Sequence, residues 1–303
     1  MALSDFLEAK IVVFRIFKRL KGLTASDTVK LFMCAPIVYI LLKMIFKVFR
    51  DTLRCCFLEP SLLIASFRLI NINRVICRIS RDLQVIIRPE DIDAATLSRE
   101  PEARDIFNPE HGDVVIDVGA HIGSYTVRAA RMVGRGGLVI AIEPDPENFK
   151  LLMLNIKLND LNNVITLPYA ASDKNGKVIL HRSLFPGLCS ITRIPRRFAG
   201  DVEVRCITID NIVNKFGIRK IDWIKIDVEG AEVDVLRGAR RALSLTENII
   251  IEVWYENLDK VLSILREEDY AMKILRRIDG DCVYIYAKKC SRKRIEGTIG
   301  SRY

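Results

Sequence analysis

The stretch VVIDVGAHIGSYT, residues 114–126, reads as a buried strand that breaks into a glycine turn and re-enters as a helix. Val114–Ile116 is apolar without alternation, as expected where both faces of a sheet are covered. Gly119 permits a tight turn, and Gly123 lets the following helix, Ser124–Val133, approach closely. Outward from this unit the alternation repeats. Leu138–Ile142 is a second strand ending at Glu143-Pro144, and Pro146–Asn159 is a helix with Pro146 in its first turn. Val164–Leu167 is a third strand and Asp222–Ile226 a fourth, ending in Asp227. Ala231–Leu243 is a helix, Asn248–Val253 a fifth strand and Asn257–Glu267 a further helix. Met272–Leu275 and Val283–Ala287 close as a hairpin around Asp279-Gly280. Between strands three and four, Lys177–His181 and Val202–Ile207 form an extra pair around a loop with Pro186, Gly187 and Pro195, and Asp210–Phe216 is helical. The pattern predicts an α/β fold, a mostly parallel sheet between helices with a C-terminal antiparallel hairpin.

Composition narrows the class. The chain has 303 residues, 50% hydrophobic and 28% charged, so it can bury a core. Its eight cysteines include no C-x-x-C pair, which argues against zinc and for reduced thiols inside a cell. The net charge of +9 is uneven: residues 1–80 carry +8, residues 288–303 carry +5, and the intervening body carries −4. The basic character therefore belongs to the ends, and nucleic acid is a disfavoured partner of the body. We divide the chain into a basic, apolar, helical region 1–80, a domain 81–289 and a basic tail 290–303.

No secretory signal is visible. Leu31–Leu42 is twelve residues without a charge, too short to span about 30 Å of hydrocarbon as a helix. Lys43, Lys47, Arg50 and Arg54 form one basic stripe at helical spacing, and Arg74, Arg78 and Arg81 repeat it more weakly. That is the form of an in-plane helix on an anionic membrane surface; packing on protein is the alternative. The expected location is the cytoplasm, at the inner face of the membrane.

In a doubly wound sheet the ligand sits beyond the carboxyl ends of the strands. The loop after strand one is D-x-G-x-x-x-G, not the G-x-G-x-x-G of a dinucleotide site. A ligand with a methionine-like amine and carboxylate wants a carboxylate nearby, and Asp117 supplies one. Glu143 can accept both hydroxyls of a ribose, which suits NAD and adenosyl cofactors alike. Asp173, in the turn after strand three, can accept from an adenine amino group. After strand four come Asp227, Glu229 and Glu232, three carboxylates in six residues.

The combination resembles the FkbM family of class I S-adenosylmethionine-dependent methyltransferases. The resemblance rests on VVIDVGAHIGSYT (114–126), VIAIEPDPENFKLLMLNIKLN (139–159), AASDKNG (170–176) and WIKIDVEGAEVDVLRGA (223–239), and covers about residues 100–287. It implies a Rossmann-like fold with a seven-stranded sheet, and methyl transfer usually to an oxygen, often on a sugar or natural product. Asp117, Gly119 and Gly123 are assigned to the methionine end, Glu143 to the ribose and Asp173 to the adenine, and His121 to a contact with the cofactor carboxylate, with a base or a mere loop filler as the alternatives. Asp227 and Glu229 are the catalytic candidates, because the acceptor hydroxyl must lose a proton as it attacks. A Mg²⁺ held by Asp227, Glu229 and Glu252 is an alternative route to that proton, and a metal-free site is preferred. Glu232 reads as a first-turn helix acid. Arg193, Arg196 and Arg197 form a cluster that could receive an anionic acceptor, and Trp254 and Tyr255 could stack on a sugar ring. The expected acceptor is the hydroxyl of a glycan or lipid-linked sugar. A non-catalytic scaffold and an NAD-dependent oxidoreductase are the rival readings.

Overall fold

The computed structural model describes residues 20–22, 74–80, 82–88, 101–277 and 281–290. Strands β1 (Leu20–Gly22), β2 (Val75–Arg78) and β3 (Gln84–Ile87) form a small antiparallel sheet. Helix α1 (Pro101–Ile106) leads into β4 (Val114–Val118), α2 (Ser124–Val133), β5 (Leu138–Ile142), α3 (Pro146–Leu158) and β6 (Val164–Leu167). Strands β7 (Ala170–Ala171), β8 (Gly176–Ser183) and β9 (Phe198–Ile207) make a second small sheet, and α4 (Ile209–Lys215) returns the chain. Then come β10 (Ile221–Ile226), α5 (Glu232–Arg237), α6 (Arg240–Leu245), β11 (Thr246–Trp254), α7 (Leu258–Glu267), β12 (Tyr270–Arg277) and β13 (Cys282–Lys289).

The main sheet has seven strands in the order β12-β13-β11-β10-β4-β5-β6. The five from β11 to β6 are parallel, and β12 and β13 close the edge antiparallel. Successive side chains alternate between two cores. Ile116, Val118, Ile140, Ile142, Ile224 and Ile226 face α4 to α7, while Val115, Val139, Trp223 and Ile250 face α1 and α2. Phe107 seals the second face with edge-on contacts to Tyr125 at 5.3 Å and Trp223 at 5.4 Å. Each fully buried isoleucine contributes roughly 1.5–3 kcal/mol relative to exposure, and the buried polar side chains Asp117 of β4 and Lys225 of β10 are paired with each other.

Two expectations are corrected. Residues 20–22 and 75–78, expected inside a helical region, are strands, so Arg74 and Arg78 belong to a hairpin edge rather than a helical stripe. The cause is a long-range partner. Asn155 of α3 accepts from Ile86 N–H at 2.6 Å and donates to Ile86 O at 3.1 Å and Ile122 O at 2.7 Å. Asn159 repeats the pairing with Gln84, at 3.0 and 2.6 Å. Two amide side chains thus complete the free edge of β3 as a neighbouring strand would, and the boundary drawn at 80/81 falls in the turn of the β2–β3 hairpin. The other basic stripe, the Leu31–Leu42 run, the Asp279-Gly280 turn and the tail 291–303 lie outside the described residues. Among the described residues no helix is long and apolar enough to cross a membrane.

The second correction is the single helix expected over 231–243, which is two helices broken at Gly238-Ala239. Gly238 runs against Ser172 O, which a Cβ would approach to 2.1 Å. Asp210 of α4 then accepts from the N–H groups of Arg241 and Ala242 at 3.0 and 2.8 Å, starting a new helix.

Asn155→Ala removes all three hydrogen bonds and leaves Ile86 N–H and Ile122 O buried. Urea unfolding should show a loss of about 2–4 kcal/mol. A loss below about 1 kcal/mol would mean that the hairpin is not held by α3.

Candidate active site

Strands β4 and β10 lie side by side, and the chain leaves them in opposite directions across the sheet, β4 toward β5 and β10 toward β11. That arrangement opens a cleft at their carboxyl ends. A pocket there is lined by the loops after β4, β5, β6 and β10 and by the segment between β8 and β9.

Gly119 is where the two strands come closest. Its φ is +75°, and a Cβ would lie 1.8 Å from Asp227 O. Its N–H and that of Ala120 both donate to Ile142 O, at 3.0 and 2.9 Å, tying the turn to β5. Gly123 caps α2 against Leu152 of α3. His121, at φ +53°, offers its N–H to Glu143 Oε2 at 2.8 Å, and its Nε2 lies 2.9 Å from Arg88 Nη2. Both His121 and Glu143 line the pocket.

Asp117 is fully buried. Its Oδ2 accepts from Thr126 Oγ1 at 2.6 Å, while Oδ1 accepts no hydrogen bond and lies 3.7 Å from Lys225 Nζ. Burial pushes its carboxyl up, and the Lys225 ammonium and the Thr126 hydroxyl oppose that rise. Lys225 also reaches Asp227 at 3.2 Å and Gly119 O at 3.1 Å, so one cation holds the ends of both strands together. Sequence reasoning missed Thr126. Its signal was a hydroxyl at the third position of α2, on the helix's buried face.

Glu143 takes Asp145 N–H at 2.9 Å and Asn148 Nδ2 at 3.2 Å on Oε1, besides His121 on Oε2. Burial nonetheless pushes its carboxyl from 4.5 to about 7. Folded Glu143 keeps its proton up to about pH 7, whereas the unfolded chain releases it near 4.5. The folded state therefore binds the extra proton between those values, and stability falls as pH rises through that window. The expected contribution is on the order of 3 kcal/mol between pH 4.5 and 7. Glu143→Gln should flatten the slope of unfolding free energy against pH by that amount, and equal slopes would refute the assignment.

The remaining candidates separate. Asp173 is exposed and does not line the pocket, which at this point is walled by Tyr169, Ala170 and Ala171 instead. Asp227, Glu229 and Glu252 share one wall. Glu229 sits at φ +51°, a left-handed conformation that costs a non-glycine residue roughly 1–3 kcal/mol and aims its side chain. Burial, then the neighbouring carboxylates Glu252, Asp227 and Glu232, hold Glu229 well above the ordinary glutamate value, while a hydrogen bond from Trp254 opposes this. Glu252 accepts from Cys282 Sγ at 2.8 Å and Tyr284 Oη at 2.7 Å. Glu232 is a loop brace: it accepts from Gly230 N–H at 2.7 Å and Asn257 Nδ2 at 2.6 Å. Among the described residues no three His, Cys, Asp or Glu side chains come together as a metal-binding group.

The arginine cluster also divides. Arg193 lays its guanidinium 3.5 Å from the centre of the Trp254 ring and pairs with Glu256 at 3.5 Å, so that face of Trp254 is already covered. Arg196 and Arg197 point outward, and Tyr255 is 40% exposed.

A seven-stranded sheet with this order, an acidic residue at or just past the carboxyl end of each of β4, β5 and β10, and a glycine turn at the switch point define a class I methyltransferase. The chain belongs to the FkbM methyltransferase family, whose domain model matches residues 117–272. It is an S-adenosylmethionine-dependent methyltransferase. Its relatives include the 2-O-methyltransferase NoeI of Sinorhizobium fredii, 28% identical over 55% of this chain and 77% of that protein. Another is the hexuronic acid methyltransferase AglP of Haloferax volcanii, 30% identical over 48% of this chain and 57% of that protein. The crystal structure of a methyltransferase FkbM from Methylobacillus flagellatus aligns with 80% of this chain and 57% of its own at a TM-score of 0.46, with 18% identity.

The pocket fits the cofactor. Gly119, Ala120 and His121 bring a backbone turn to its wall and Glu143 a carboxyl, while the fully buried Asp117 lies outside the lining, with its Oδ1 beside the Lys225 ammonium.

Proposed function

We propose that this protein methylates a hydroxyl oxygen of a sugar or glycan, with Glu229 taking the hydroxyl proton. Lipid-linked glycans fall within this class. The observation that carries the reading is Glu229 itself: a carboxylate on the pocket wall, strained into position, whose proton affinity its surroundings raise well above that of an ordinary glutamate. A general base works best when its pKa lies near the working pH. The names of the NoeI and AglP relatives support a sugar acceptor.

When bound, S-adenosylmethionine supplies an electrophilic methyl group. In this proposal Asp117, the Gly119–Gly123 turn and His121 hold its methionine end, and Glu143 accepts from the ribose hydroxyls. Asp227, paired with Lys225, sets the charge at the strand ends. Glu252, anchored by Cys282 and Tyr284, sets its carboxylate charge beside Glu229 and raises its basicity.

Calorimetric titration of the full chain with S-adenosylmethionine tests the cofactor half. Asp117→Ala should weaken binding at least about tenfold, the value of one charge-assisted hydrogen bond. Methyl transfer from labelled cofactor to neutral sugars and to uronic acids then tests the acceptor half. A folded parent that binds cofactor but transfers to no hydroxyl would favour a binding module over an enzyme of this kind.

A further inference from the structure

Residues 182–197, which join β8 to β9, contain four arginines and no acidic residue, while the rest of 81–287 carries a net charge of −8. That segment is therefore a local excess of positive charge on a body whose net charge is negative. The inner side of that segment lines the pocket through Gly187, Leu188, Cys189 and Ile191. Its outer side leaves Leu184 66% and Ile194 71% exposed, and Phe198, the first residue of β9, is 47% exposed.

These groups interleave. Leu184 N–H donates to Arg197 O at 2.8 Å, Ser183 pairs with Phe198 across the ladder, and the Arg197 guanidinium lies 5.1 Å from the Phe185 ring. The Arg196 side chain is 96% exposed, and its 3.8 Å pair with Asp281 lies at the surface, where salt screens it. Single exposed apolar residues are ordinary. Arg182 and Arg193 are paired with Asp145 and Glu256, but large apolar side chains beside the exposed Arg196 and Arg197 have the composition of a membrane interface. A nucleic acid would meet the arginines but offer nothing to Leu184 and Ile194. An anionic bilayer satisfies both, phosphates for the guanidinium groups and the acyl boundary for the side chains.

We propose that this face docks on an anionic lipid bilayer. Leu184, Ile194 and Phe198 enter the headgroup layer, Arg196 and Arg197 meet the phosphates, and the pocket rim at Leu188 faces the membrane. The proposal does not depend on the identity of the methyl acceptor.

Cosedimentation of the full chain with vesicles tests it, using phosphatidylcholine alone and phosphatidylcholine with roughly one-third phosphatidylglycerol. The anionic vesicles should retain the protein and the neutral ones should not. R196E/R197E and L184S/I194S should each lower retention by roughly tenfold or more. Both should keep the parent's S-adenosylmethionine affinity, which shows that the pocket is folded. Failure of the parent to bind anionic vesicles overturns the proposal, as does parental retention in either double variant. Loss of polyuridylate binding in the arginine variant, with none in L184S/I194S, would also overturn it in favour of a nucleic acid.

Discussion

Gly119→Ala is expected to abolish S-adenosylmethionine binding and to cost the fold about 3–5 kcal/mol. Two penalties combine. The residue's φ of +75° is unfavourable for any side chain, and the new Cβ would fall 1.8 Å from the backbone oxygen of Asp227. That oxygen cannot move alone, because Asp227 N–H is bonded to Val118 O at 3.0 Å and its carboxylate to Lys225 at 3.2 Å. Relief would require β4 and β10 to part at their carboxyl ends, where we propose that the cofactor binds. Gly217→Ala is the control. Gly217 has a similar φ of +64° but nothing within 4 Å of its Cβ position, so it carries the dihedral penalty without the clash. Urea unfolding and calorimetry on both variants separate the terms. Similar losses in the two would show that the β4–β10 contact is not close.

Glu229→Gln should lower kcat by about 10²–10⁴ while leaving cofactor affinity within threefold. The amide keeps shape and polarity but cannot accept the hydroxyl proton. In the parent, kcat should rise with pH as Glu229 ionises. Because burial and the Glu252 charge hold its proton, the midpoint of that rise lies well above the ordinary glutamate value. Glu252→Gln removes one of those charges, so the midpoint should shift to lower pH without a comparable loss of plateau rate. A Glu229→Gln enzyme within tenfold of the parent would remove Glu229 from the proposal and leave Asp227 as the base to test.

The main sheet was legible because its signals are local. Short, mostly apolar segments that carry Asp117, Glu143 and Asp227 at or just past their carboxyl ends announce parallel strands. The helix starting at Pro146 was equally plain: Asp145 caps it, accepting from Glu147 and Asn148 N–H groups. The turn after β4 was legible from Gly119 and Gly123, whose spacing reports backbone need, and both glycines take positive φ there. Asp173 was not legible in the same way. Its turn sequence, SDKNG, is correct for a turn, yet nothing local tells which way a turn's side chain points, and the structure leaves it in solvent.

The sequence by itself determined the strand order's raw material: which runs are buried on both faces, which acids end them, and the family to which they belong. Only the tertiary structure decided how those acids differ. Asp227 is paired with Lys225, Glu232 braces a loop, and Glu229 is crowded by like charges, a sorting that depends on β10 lying between β4 and β11. The β2–β3 hairpin likewise depends on Asn155 and Asn159, about seventy residues away in the chain. Hydropathy periods report how a segment meets its own neighbours along the chain. Charge pairing and edge capping are set by partners that only folding brings within 3 Å.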